Sequence, residues 1–218
     1  DLAERNPSCN YIGVDIKGAR LWKGAKYAEE HGLKNVAFLR TRIEFIESIF
    51  AENEVSEIWI TFADPQIGRE KKRLTAPLFM NRYRNFLKPG GIVHLKTDSR
   101  YLHEYSLAMA QQNGLKILAS GIDIYGEDRE RLYSSELSSV SGRDAVDALF
   151  EVQTFYESQY LAQGFEITYL SFLADHDGDY ISPEWDEDTW KDEGHHFVIP
   201  SGLSVASKFY PDEKQPGA

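Results

Sequence analysis

The chain has 218 residues, 42% hydrophobic and 27% charged, a composition that suits one globular domain, or one domain and an appendage, with a real core. A single cysteine, Cys9, excludes an internal disulfide framework and any multi-cysteine metal site, no apolar run approaches the roughly 18 residues of a membrane helix, and no basic-then-apolar leader opens the chain; the expected compartment is the cytoplasm. The net charge of −11 is uneven, with 17 basic against 13 acidic residues in 1–100 and 7 against 22 in 101–218, so a basic face for a polyanion is not excluded.

In chain order, a helix end is cut off by Pro7, and Tyr11-Ile-Gly-Val-Asp15 reads as a short strand ending in an acid. A helix is expected over 17–32, with Leu21, Trp22, Ala25 and Ala28 on its apolar face and Gly32 as its cap. Residues 35–39 read as a strand and 44–51 as a short helix. Ile58, Trp59, Ile60 and Phe62 form a buried strand that Asp64-Pro65 stops. A basic loop, 69–73, leads to a helix over 76–87, a tight turn at 88–91 and a strand over 92–97 ending at Asp98. A helix over 101–112, capped by Asp98 or Ser99, precedes a strand over 115–124. Residues 126–147 are polar and serine-rich, which predicts a long loop or an ordered lid. A helix over 151–162 and an alternating strand over 165–172 follow. Alternating strands and helices mean an α/β fold, a doubly wound and mostly parallel sheet with a final antiparallel strand. Residues 1–173 form the expected domain and 174–218 an acidic extension.

Three acids, Asp15, Asp64 and Asp98, close three strands and so line the sheet edge at which open α/β folds bind ligands. An acid in the position of Asp15, before a helix, suits the ribose hydroxyls of an adenosine-containing cofactor. Thr154-Phe-Tyr-Glu157 opens a helix, and a capping box accounts for it as well as a binding role does. No Gly-x-Ser-x-Gly elbow or phosphate-binding loop occurs. His94 and His103 are expected to be structural, and His195-His196 a solvated pair. Asp175-His-Asp-Gly-Asp179 only half-matches a calcium loop, since its glycine is at the fourth position and no Glu closes it; no metal site is expected.

Taken together, Tyr11-Ile-Gly-Val-Asp15, Gly32-Leu-Lys-Asn-Val36, Phe62-Ala-Asp-Pro65, Lys72-Arg-Leu-Thr75, Leu87-Lys-Pro-Gly-Gly91, Leu95-Lys-Thr-Asp98 and Thr154-Phe-Tyr-Glu157 resemble the bacterial tRNA (guanine-N7-)-methyltransferase family, in that family's order over about residues 1–173. The resemblance implies a Rossmann-like, seven-stranded methyltransferase sheet and S-adenosylmethionine-dependent transfer of a methyl group to N7 of a guanosine in the tRNA variable loop. It makes Asp15 the ligand of the cofactor ribose and puts Arg42 and Ile43 at the adenine. Asp64 falls at the methionine end of the cofactor and the reacting base, the catalytic position. Asp98, Thr154, Tyr156 and Glu157 fall in the guanosine-recognition motifs, and Arg69 and Lys71 are the candidates for tRNA phosphates and for the family lysine, whose position is Gly68 here.

The residue types suit that chemistry. Guanine N7 is already a nucleophile, so alignment with the sulfonium methyl supplies most of the catalysis, up to about 7–11 kcal/mol. Carboxylates match the N1–H and amino donors of guanine, and each charged hydrogen bond contributes roughly 1.5–3 kcal/mol. The family's opening strand and Gly-rich cofactor loop have no counterpart in this sequence. That strand is central, so both its neighbours are expected to lack a partner, and the natural protein is expected to be longer. Two alternatives remain: a catalytically silent tRNA-binding homologue, and a small-molecule methyltransferase of the same fold. Monomer and homodimer are equally open.

Overall fold

The computed structural model describes residues 1–190. A short helix α1 (Leu2–Arg5) precedes β1 (Tyr11–Asp15), α2 (Gly18–Glu30) and β2 (Val36–Arg40). A 3-10 turn (Ile43–Ser48) leads to β3 (Val55–Thr61), a second 3-10 turn (Glu70–Lys72), α3 (Pro77–Tyr83), β4 (Leu87–Thr97), α4 (Arg100–Gln112) and β5 (Ile117–Gly121). Then come α5 (Arg129–Tyr133), α6 (Glu136–Ser141), α7 (Arg143–Glu151), α8 (Phe155–Ala162) and β6 (Thr168–Leu173).

These six strands form two sheets. β1 and β2 pair in parallel. The other sheet has the order β3-β4-β6-β5, with β3 and β4 parallel and β6 antiparallel to both its neighbours. The expected α/β class, parallel start and antiparallel last strand are all present. β1 and β2 share no hydrogen-bonded ladder with the other four described strands.

Side chains alternate across β4 and β6 and fill two cores. On one face Val93, Leu95, Leu170 and Phe172 pack with Phe79, Met80 and Tyr83 of α3 and Leu102, Tyr105 and Met109 of α4. On the other, Ile92 and Tyr169 pack with Leu132, Leu137, Val146 and Leu149 from α5, α6 and α7. α2 approaches its sheet closely because the Phe38 ring occupies the space beside two glycines. A Cβ on Gly24 would lie 2.6 Å from that ring and one on Gly13 2.8 Å, distances that no side chain tolerates.

Four expectations change. Residues 126–147, expected as a long loop or an ordered lid, hold the helices α5 and α6 and the start of α7, because Leu132, Leu137 and Val146 are buried at irregular spacing that short helices can satisfy. The helix expected over 44–51 is the 3-10 turn Ile43–Ser48. The turn at 88–91 is absorbed into β4 as a bulge, with Val55 opposite Leu87 and Glu57 opposite Ile92. Trp22 and Ala25 are exposed instead of facing the core, and the Lys26 ammonium lies 5.4 Å above the Trp22 ring.

The chain divides into two compact units, Asp1–Trp185 and Asp186–Ala218. The expected boundary at 173 and 174 falls inside the first, because Ala174, Tyr180 and Trp185 pack into its core. Of the second unit, a 3-10 turn (Glu187–Trp190) is described, and the Asp186 carboxylate accepts from the Asp188 N–H at 2.9 Å and the Thr189 hydroxyl at 2.8 Å. His195 and His196 lie outside the described residues.

Candidate active site

β3 and β4 run parallel, so the chain leaves both at one edge and carries Asp64 and Asp98 there. Phe62, the first residue beyond Thr61, has φ +50°, a left-handed conformation that costs an ordinary residue of order 1–3 kcal/mol. It is held there by its N–H, which donates to the Lys96 carbonyl at 2.9 Å, and by its ring, stacked on Tyr160 of α8 at 6.2 Å. The chain then swings away from the sheet, and Asp64 starts a side-chain turn in which its Oδ1 accepts from the Gln66 N–H at 2.9 Å. Asp64 is exposed.

Arg73 grips this turn from beneath. Its side chain is fully buried, Nε donates to the Pro65 carbonyl at 3.0 Å and Nη2 to the Gln66 carbonyl at 3.2 Å. The guanidinium also donates to the Tyr101 hydroxyl and lies 3.9 Å over the Tyr105 ring. Arg73 is therefore no part of a phosphate-tracking surface, although the sequence groups it with the basic loop. Arg69 and Lys71 of the same loop are exposed.

Asp98 is partly buried, and burial raises its carboxyl above the usual range. It lines an open cleft of about 290 Å³ with Arg100, Gly164, Phe165, Glu166 and Thr168. Asp15 caps the end of β1: its Oδ1 accepts from the Lys17 N–H at 2.9 Å, while among the described residues Oδ2 has only Arg20 Nη1, at 3.5 Å. The other end of the same guanidinium donates to the Tyr156 hydroxyl at 2.8 Å and lies 5.0 Å above that ring. Tyr160, one turn further along α8, is raised by burial and then by the nearby Asp98 charge. Through Tyr156 and Tyr160, α8 thus bridges the ends of β1, β3 and β4.

The start of α8 is anchored in the interior. The Glu157 N–H donates to the Thr154 hydroxyl and the Thr154 N–H to Glu157 Oε2, both at 3.1 Å, a complete capping box. Glu157 has no exposed surface; its Oε1 accepts from the Tyr125 hydroxyl at 2.7 Å and forms an ion pair with Lys96. Lys96 is 3% exposed and also donates to the Leu149 carbonyl. Burial lowers the Lys96 ammonium from its ordinary range, and Glu157 opposes that shift.

Comparison with known proteins gives this edge its context. A methyltransferase family model, described as "Putative methyltransferase", matches residues 1–129. The tRNA (guanine-N(7)-)-methyltransferase of Christiangramia forsetii is 53% identical over 174 residues, covering 79% of this chain and 71% of that protein. That of Bacteroides fragilis is 47% identical over 183 residues, covering 84% of this chain and 66% of the relative.

The chain belongs to the tRNA (guanine-N7)-methyltransferase family.

Among solved structures, the 16S rRNA methyltransferase KamB superposes with a TM-score of 0.53 at 16% identity, covering 84% of this chain and 81% of that one. That likeness supports the methyltransferase fold. In this family member, the structure brings Asp64 and Asp98 to one edge, joins Asp15 to Tyr156 through Arg20, and joins Thr154 to Glu157. Arg42 and Ile43 follow β2: Arg42 is exposed and pairs with Glu44 at 3.0 Å, while Ile43 packs against the core. Sequence reasoning missed Arg20, Lys96, Tyr125 and Tyr160. Lys96 carries a usable signal, a lysine inside an apolar strand that must find an acid. The other three acquire meaning only through contacts between distant segments.

Proposed function

We propose that this protein transfers the methyl group of S-adenosylmethionine to N7 of a guanosine in the tRNA variable loop. The reading rests on one observation: Asp64 and Asp98 share one sheet edge, and α8 connects that edge to Asp15 at the end of β1 through Tyr156 and Arg20, in a chain 53% identical to a tRNA (guanine-N(7)-)-methyltransferase. The donor set fits the cofactor. Asp15 Oδ2 has spare acceptor capacity for a ribose diol, and Ile43 beside Arg42 offers an apolar and a polar group for an adenine. Bound S-adenosylmethionine supplies an electrophilic methyl group on a sulfonium.

The rest falls to the protein's own residues. Asp64, exposed and fixed by its turn, orients the methionine end and the base. Asp98, facing the cleft, accepts from the guanine donors. Glu157 also serves the guanine edge, and it does so after releasing one of its partners; the neutral Tyr125 hydroxyl is less costly to lose than the Lys96 ammonium, at roughly 1.5–3 kcal/mol for a hydrogen bond to a charged group. Tyr156 and Thr154 hold α8 in place. Arg69 and Lys71 contact tRNA phosphates, with Lys71 or Arg69 standing in for the family lysine. We place the reaction in the cytoplasm, as its substrate requires; among the described residues no helix is long and apolar enough to cross a membrane.

The test uses unmodified tRNA transcripts and methyl-labelled S-adenosylmethionine. Label recovered as 7-methylguanosine, and lost in Asp64→Asn and Asp98→Ala, supports the proposal. Tight, salt-sensitive tRNA binding without label indicates a silent binding homologue. Label in neither tRNA nor a complex refutes both.

A further inference from the structure

The buried node behind α8 holds more polar chemistry than a helix cap needs. A capping box requires only Thr154 and Glu157, and an exposed one works without a counter-ion. Here the Glu157 carboxylate is enclosed together with a lysine that the sheet itself delivers, since Lys96 lies within β4, paired to both β3 and β6. Taking both charges out of water is unfavourable, and a Gln–Met pair would cap the helix as well. Two features suggest what offsets that cost. Lys96 and Tyr125 both lie on Oε1, whereas among the described residues Oε2 accepts only from the Thr154 N–H. Tyr125 is also reached from the outer side, where Gln153 Nε2 donates to its hydroxyl at 3.2 Å.

We propose that Lys96 is a positioning residue for guanine recognition: it keeps Glu157 an ionised, oriented acceptor while the Tyr125 hydroxyl holds the acceptor position that the guanine edge later takes. This rests on Glu157 reading the guanine edge, as proposed above. A neutral carboxylic acid would turn an O–H toward the guanine N1–H and amino donors, whereas a carboxylate accepts from both. The main-chain carbonyl of Leu149 and the ring of Tyr125, 5.6 Å from the ammonium, fix the lysine so that it does not follow the acid outward.

The test compares tRNA transcripts carrying guanosine or inosine at the target position. Inosine keeps N7 and N1–H but lacks the 2-amino donor. In Lys96→Met, kcat/KM on guanosine falls about 10–100-fold, and on inosine, which keeps only the N1–H donor, it falls by a clearly smaller factor, so the preference for guanosine shrinks. Adding Lys96→Met to Glu157→Gln changes the preference no further, and the double variant melts at a higher temperature than Lys96→Met alone. Tyr125→Phe, which frees the acceptor, lowers KM for guanosine tRNA about 2–10-fold with kcat unchanged. Dialysis gives S-adenosylmethionine affinity within twofold of the parent in each case.

Equal losses on guanosine and inosine in Lys96→Met, or additive effects in the double variant, overturn the proposal. Should Lys96→Met not fold, a Tyr125→Phe enzyme with raised KM overturns it independently. If Glu157→Gln alone keeps the guanosine preference, then Glu157 does not read the base; the proposal falls with that assignment, even where the melting data still couple residues 96 and 157.

Discussion

Replacing Arg73 separates a buried brace from a phosphate contact, two roles that the run 69–73 does not distinguish. In Arg73→Met, the Pro65 and Gln66 carbonyls lose donors now at 3.0 and 3.2 Å, and Tyr105 loses the cation stacked at 3.9 Å. An unsatisfied buried carbonyl costs about 1–3 kcal/mol and a desolvated cation–π contact contributes about 2 kcal/mol. Allowing for relaxation and for the volume that methionine fills, the expected loss is roughly 3–5 kcal/mol, or about 10 °C in melting temperature for a domain of this size. Arg73→Lys keeps the charge but loses the planar fork and should forfeit about half as much. Both variants release the Asp64 turn, so kcat falls further than KM rises; a displacement of about 1 Å at a reacting centre costs about 100-fold. Calorimetry and single-turnover methylation measure the two effects. A melting point within about 2 °C of the parent, with only a tRNA salt slope reduced by about one, would refute the brace and place Arg73 on phosphate.

Arg69→Ala and Lys71→Ala, both at exposed positions, should each lower the salt dependence of tRNA binding by about one ion and leave stability within about 0.5 kcal/mol; filter binding at several salt concentrations measures this. Thr154→Ala removes the hydroxyl that caps α8 and should cost about 1 kcal/mol in urea unfolding. His103 is 1% exposed with Nε2 3.2 Å from the Ser120 hydroxyl, and burial pushes its ring down to about 4. The folded state therefore binds fewer protons than the unfolded chain between about pH 4 and 6.5, so the stabilisation is complete above about pH 6.5 and is lost as pH falls toward 4, by roughly 3 kcal/mol. In His103→Gln that slope should shrink, with a remainder from His94, whose ring burial also lowers; urea midpoints from pH 4 to 7 give the comparison.

Much of this protein is legible in one dimension. Strand identity followed from short β-branched and aromatic runs, and Asp98 does follow the end of β4; the strand expected to be buried up to Asp64-Pro65 is instead an edge strand with only Ile60 buried, and it ends at Thr61. The capping box at Thr154 and Glu157 was equally readable, since its partners are three residues apart. The boundary of the first compact unit, at Trp185, was not, because charge composition changes before the packing does; Trp185 is held by edge contacts to Tyr101 and Tyr105 at 5.7 and 5.5 Å. Nor were the helices within 126–147, whose buried residues are spaced for three short elements instead of one period. The site divides in the same way. Chain order alone put Asp15, Asp64 and Asp98 at strand ends. Tertiary structure decided that Arg73 is internal while Arg69 and Lys71 face water, that Arg20 reaches Tyr156 across 136 positions, and that Lys96 meets Glu157. Periodicity reports which face of an element is apolar, but the partner of a buried charge is chosen by which segments the fold packs together, and that choice is made across the whole chain.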